Sequence, residues 1–140
     1  MKVLVATEKP FAAVAVDGIR KVIEDAGYEL ELLEKYTSKE ELLAAVATAD
    51  ALIIRSDKVD AAVLDAAKQL KIVVRAGAGY DNVDTAEAKR RGIVVMNTPG
   101  QNSNAVAELA LAMMIYMSRN KFTPGTGAEI QGKTLAIHAY

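Results

Sequence analysis

The chain has 140 residues, 51% of them hydrophobic and 25% charged, which suits a globular domain with a real core and excludes a disordered segment. Lys and Arg number 17 and Asp and Glu 18, a formal net charge of -1, so the basic excess of a dedicated nucleic-acid binder is missing. With no Cys and one His, disulfides and a cysteine-ligated zinc site are excluded, and a histidine metal site has almost no material.

In chain order, Lys2–Ala6 is a strand signal and lacks the apolar length and cleavage site of a signal peptide. Gly27 closes the helical stretch that follows. Glu29-Leu30-Glu31-Leu32 alternates polar and apolar, as an edge strand with one wet face does. Ser38 and Glu41 form a capping box ahead of Leu42 and Leu43. Ala51–Ile54, Lys71–Val74 and Ile93–Met96 are short, Val- and Ile-rich runs of the kind buried on both faces of a parallel sheet. Between the last two, Asp84 with Glu87 at its third position caps another helix, which Gly92 ends. Strand–helix alternation of this kind predicts an α/β doubly wound parallel sheet, in flavodoxin-like order over residues 1–99.

The helix at 103–118 is apolar nearly all round, with Val106, Leu109, Met113 and Met117 on one stripe and Leu111 and Ile115 opposite. Such a helix is expected to be buried between two domains or two subunits. Lys121–Gly132 reads as a loop around Pro124-Gly125. A further strand is expected from Lys133, over the run Thr134–Ala139. A buried strand with no helix to cover it reads as an unfinished unit, so the chain is expected to be part of a longer protein. The longest apolar run, Leu109–Met117, is too short to span a bilayer. A soluble, cytoplasmic protein without membrane or nucleic-acid partners is expected.

Ligands of an open parallel sheet bind beyond the carboxyl ends of its strands. Three such ends carry unusual polar content: Arg55-Ser56-Asp57-Lys58, Arg75 to Asn82, and Asn97 to Ser103. In flavodoxin-like order the three strands are neighbours, so these loops are expected to meet in one crevice and form an anion site. Arg55 offers a bidentate fork for carboxylate or phosphate. Gly77, Ala78 and Gly79 let backbone N–H groups approach a ligand together. Asn102 and Ser103 stand at a helix start, where free N–H groups favour an anion. Each has a plainer reading: Arg55 as a surface ion pair, Asn102 or Ser103 as a helix cap, Gly77 and Gly79 as a tight turn. The third position of a dinucleotide fingerprint is held by Asn82, so Gly77-Ala78-Gly79 is not a pyrophosphate loop. His138 lies in the last apolar run with no acid near it to orient it, so a structural role is expected. Asp57 in a flavodoxin-like fold raises the alternative of a phospho-receiver module. That chemistry needs an acidic pair after the first strand to hold Mg²⁺, and Thr7-Glu8-Lys9-Pro10 has one acid.

The stretch Arg75-Ala76-Gly77-Ala78-Gly79-Tyr80-Asp81-Asn82-Val83-Asp84 resembles the signature loop of the D-3-phosphoglycerate dehydrogenases, within the D-2-hydroxyacid dehydrogenase family. Val94–Pro99, Asn102-Ser103 and Ala107-Glu108-Leu109 continue the likeness, and Gly132–Tyr140 resembles the family's entry into its nucleotide-binding domain. The resemblance implies NAD as cofactor and oxidation of 3-phosphoglycerate at its C2 hydroxyl to 3-phosphohydroxypyruvate, the entry to serine biosynthesis. It implies that Arg55, Ser56 and Asn102 hold substrate, and that Ala78 and Gly79 meet its carboxylate through their backbone. Ala78 lies, by the same likeness, beside the nicotinamide end of the cofactor. Residues 1–99 would be the substrate-binding domain, and 100–140 the interdomain and dimerisation helix with the first strand of a Rossmann NAD-binding domain. A homodimer is implied. The family's catalytic Arg, Glu and His are expected beyond Tyr140, so the 140-residue chain alone is expected to be inactive. Tyr80 stands where the family commonly has an aliphatic residue, and Ala78 where relatives carry Thr. Other readings are another D-2-hydroxyacid dehydrogenase, for lactate or glycerate, and a non-enzymatic flavodoxin-like binding module.

Overall fold

The structure is a computed structural model and describes residues 1–138. Strands and helices alternate as β1 (Lys2–Thr7), α1 (Ala13–Asp25), β2 (Glu29–Glu34), α2 (Lys39–Val46), β3 (Ala51–Ile54), α3 (Ala61–Ala66), β4 (Ile72–Arg75), α4 (Thr85–Arg90), β5 (Val94–Asn97) and α5 (Ser103–Ser118). All strand pairs are parallel, in the order β2-β1-β3-β4-β5 expected of a flavodoxin-like sheet. Glu29-Leu30-Glu31-Leu32 lies on the edge strand β2, as its alternation predicts.

Register sorts the two faces. Leu4, Leu52, Val73 and Val95 form one cross-strand row, and against this face pack Leu42 and Val46 of α2, Val63 and Leu64 of α3 and Ala88 of α4. Leu4, Leu52 and Val73 are fully buried, each worth about 1.5–3 kcal/mol of apolar transfer. On the opposite face Val3 and Ala51 pack against Ile19 and Ile23 of α1. That single helix does not reach β5, where Val94 and Met96 stay 55% and 52% exposed.

The helix signals act largely as read. The Glu41 carboxylate accepts the Ser38 backbone N–H at 3.0 Å. Asp84 accepts the N–H of Glu87 at 2.9 Å, but the Glu87 carboxylate turns to Arg90 and Arg91 instead of back to the cap. Gly27 and Gly92 take φ of 75° and 72°, the left-handed region where a Cβ is penalised.

The chain divides into two compact units, the second beginning at Asn102. No residue of α5 is buried, and Leu109 and Met117 are each 61% exposed. The burial expected for this helix is therefore absent among the described residues. Beyond it, Ala128 N–H bonds to the Ser118 carbonyl at 2.7 Å. A Cβ on Gly127 would sit 2.8 Å from that same oxygen, so only glycine permits so close a return. The strand expected from Lys133 does not form: residues 133–138 carry no strand, and Lys133 N–H closes a turn on Ile130. A parallel strand is held by its neighbours, and the second unit has none to offer among the described residues. His138 is accordingly exposed and outside any strand, while Ala139 and Tyr140 lie outside the described residues. No helix among the described residues is long and apolar enough to cross a membrane.

Candidate functional site

The loops after β3, β4 and β5 meet at the carboxyl edge of the sheet. Ala76 N–H bonds to the Ile54 carbonyl at 2.8 Å, Thr98 N–H to Gly77 at 2.9 Å, and Asn97 Nδ2 to Ala78 at 2.7 Å. Asn82 Nδ2 donates to the Asp57 carbonyl at 2.7 Å, and the Val59–Val83 bridge closes the same junction. These bonds tie the loop after β3 to that after β4, and the latter to Asn97 and Thr98.

Arg55 and Ser56 extend from the end of β3 with exposed side chains that find no partner among the described residues. The plain reading of Arg55 as a surface ion pair therefore lacks its acid. Asp57, next along, is 3% exposed; its carboxylate accepts from Glu8 N–H, the Tyr36 hydroxyl and Arg55 N–H. With both oxygens engaged and buried, it is not the open acceptor that a phospho-receiver needs. Burial first, and then the bond to Asp57, pushes the Tyr36 hydroxyl well above the ordinary phenol range, so it remains a donor.

The glycine loop departs from expectation in two ways. The N–H groups of Ala78 and Gly79 have no partner among the described residues, but Gly77 N–H is spent on the Arg75 carbonyl at 2.9 Å. Two donors, not three, are open to a ligand. Gly77 serves another end: a Cβ there would lie 1.5 Å from Arg75 Nη1, so the missing side chain makes room for a guanidinium. Gly79 has no positive φ, and its Cβ would meet only Asp81 Oδ1 at 3.3 Å.

Arg75 was not singled out by the sequence, although a glycine two residues past a strand-end Arg was the available signal. It pairs in register with Ile54 and Asn97, and its buried Nε has no partner. Asn102 opens the second unit as the N-cap residue of α5, exposed and making no side-chain cap bond, so its amide is uncommitted. A cleft of 580 Å³ lies elsewhere, along β5, lined by Tyr80, Lys89, Val94 and Met96 and by none of Arg55, Ala78 or Gly79. The unpartnered donors of Arg55, Ser56, Ala78 and Gly79 are the candidates for holding an anion. Among the described residues no group of three His, Cys, Asp or Glu could hold a metal ion.

An all-parallel sheet in this strand order, with helices between the strands, defines an α/β domain of the doubly wound class, whose ligands bind beyond the carboxyl edge. The chain belongs to the D-isomer specific 2-hydroxyacid dehydrogenase family, whose catalytic-domain profile matches residues 6–137. The D-3-phosphoglycerate dehydrogenase of Archaeoglobus fulgidus is 47% identical, over 98% of this chain and 27% of that protein. The hydroxypyruvate reductase of Thermotoga maritima is 44% identical, over 78% of this chain and 40% of that protein. Among solved structures, the NAD+-bound 3-phosphoglycerate dehydrogenase of Entamoeba histolytica superimposes with a TM-score of 0.90 at 52% identity, over 93% of this chain and 43% of that one. The chain thus spans less than half the length of these relatives.

Proposed function

We propose that this chain is the substrate-binding part of an NAD-dependent dehydrogenase that oxidises the C2 hydroxyl of 3-phosphoglycerate to 3-phosphohydroxypyruvate, the entry to serine biosynthesis. The observation that carries the reading is the unspent donor set: the Arg55 fork and Ser56 hydroxyl after β3, beside the open N–H groups of Ala78 and Gly79 after β4. A ligand with a phosphate at one end and a carboxylate at the other uses both. Arg55 and Ser56 take the phosphate, and Ala78 and Gly79 the carboxylate. NAD supplies the hydride acceptor, and the likeness to the family supports a place for Ala78 beside its nicotinamide end. Residues 1–99 act as the substrate lobe, while 100–140 supply the helix through which domains and a homodimer join and the start of the NAD-binding domain. A cytoplasmic location suits this metabolism.

The second reading, a D-2-hydroxyacid dehydrogenase for an unphosphorylated acid, is favoured by the likeness to a hydroxypyruvate reductase. NADH formation by the full-length protein with 3-phosphoglycerate, D-glycerate and D-lactate separates the two. The phosphorylated acid is expected to lead in kcat/KM by about 100-fold, the worth of a charge-assisted bidentate contact. Equal rates select the second reading, and no turnover of any 2-hydroxy acid overturns both.

A further inference from the structure

Asp57 is the one charged side chain that is buried among the described residues. A carboxylate away from water is tolerated only where donors meet it. Here they come from three strand ends: Glu8 N–H past β1 at 2.8 Å, the Tyr36 hydroxyl past β2 at 2.8 Å, and Arg55 N–H past β3 at 3.2 Å. The carbonyl of the same residue takes Asn82 Nδ2 at 2.7 Å, and the carbonyl of Asn82 takes Val59 N–H at 2.9 Å. One residue therefore joins the ends of three strands to the loop that follows β4. Arg55 and Ser56 lie between the end of β3 and this clamp, so their backbone is held at both sides while their side chains stay free.

We propose that Asp57 is a positioning residue: held by Tyr36 and the Glu8 N–H, it keeps the Arg55–Ser56 turn in register with the Ala78–Gly79 loop and so sets substrate affinity without touching the substrate. The proposal rests on reading Arg55 as the phosphate-holding residue. A network of this kind acts as a unit, so its members should not contribute independently.

The test is steady-state kinetics of the full-length protein with 3-phosphoglycerate and NAD, with thermal unfolding alongside. Tyr36→Phe keeps the ring and removes one donor. It is expected to raise KM for 3-phosphoglycerate about five- to tenfold, with kcat and KM for NAD within about twofold of wild type. Asp57→Asn keeps one oxygen for the Glu8 and Tyr36 donors but sets an NH₂ against the Arg55 N–H and removes the charge, and is expected to raise that KM about 30-fold or more. In an Arg55→Ala background, Tyr36→Phe should add less than about twofold, because the residue it helps to place is gone. Val46→Ala, in the remote core of α2, should lower the melting temperature with KM unchanged. Should Asp57→Asn not fold, Tyr36→Phe still decides. A wild-type KM in Tyr36→Phe, or full additivity with Arg55→Ala, overturns the positioning role. An unchanged KM in Arg55→Ala itself overturns the phosphate reading beneath it.

Discussion

Arg55 has nothing in the described chain to neutralise it, which makes it the simplest residue to test. Arg55→Ala should raise KM for the phosphorylated substrate by about 10- to 100-fold, equivalent to about 1.5–3 kcal/mol, while the melting temperature stays put. Arg55→Lys should restore only part, because the charge returns and the fork does not. Gly77 makes a second residue-scale case. Its added Cβ would collide with the Arg75 guanidinium and not with backbone, so Gly77→Ala should cost only about 0.5–1.5 kcal/mol, the price of one displaced flexible side chain. In an Arg75→Ala background the same change should be neutral or stabilising, which urea unfolding of the pair of double and single variants checks. The place of Arg55, Ser56, Ala78 and Gly79 beyond the ends of β3 and β4 was legible because each follows a recognisable strand. The place of Asp57 was not: its donors Glu8 and Tyr36 lie 49 and 21 residues away, and only the folded sheet brings them to it.

Among the elements, α4 carries a charge cluster with a defined pH response. Glu87 accepts from Arg90 Nε at 2.8 Å and from Arg91 Nε at 2.6 Å, while Arg91 reaches across to Asp65 and the Leu64 carbonyl at the end of α3. These side-chain hydrogen bonds, to Arg90 first and then Arg91, hold the Glu87 carboxyl down to about 2, from an ordinary 4.5. A depressed folded value means the cluster stabilises fully above the ordinary value and loses that contribution as the pH falls from about 4.5 towards 2. The melting-temperature gap between wild type and Glu87→Gln should therefore be constant near neutrality and close across that window. A gap that persists unchanged at pH 2 would refute the pairing. For α5 the expectation concerns association: its exposed Leu109, Met113 and Met117 should make residues 1–140 self-associate with rising concentration, and Leu109→Lys with Met113→Lys should suppress it in sedimentation velocity. The element reading succeeded where local signals are sufficient, as at Ser38, Asp84, Gly27 and Gly92. It failed at Lys133, because an apolar run becomes a strand only beside another strand.

At the scale of the whole molecule, every residue of the two buried clusters comes from between Val3 and Ile93. Residues 1–101 expressed alone should thus unfold cooperatively, with a melting temperature within a few degrees of the 140-residue chain. Loss of a cooperative transition on removing residues 102–140 would show that the sheet depends on them. The sheet order was legible from strand–helix alternation, since short crossovers leave few ways to lay parallel strands side by side. That order also bears on how the polypeptide is made. β1 and β2 are neighbours, and β3, β4 and β5 follow on one side of the sheet in the order in which they leave the ribosome. Each new strand docks on a surface already built, so no early segment waits long for a distant partner. Once β3 has joined, the edge on that side is only four residues long, which leaves a poor template for pairing with a neighbouring nascent chain.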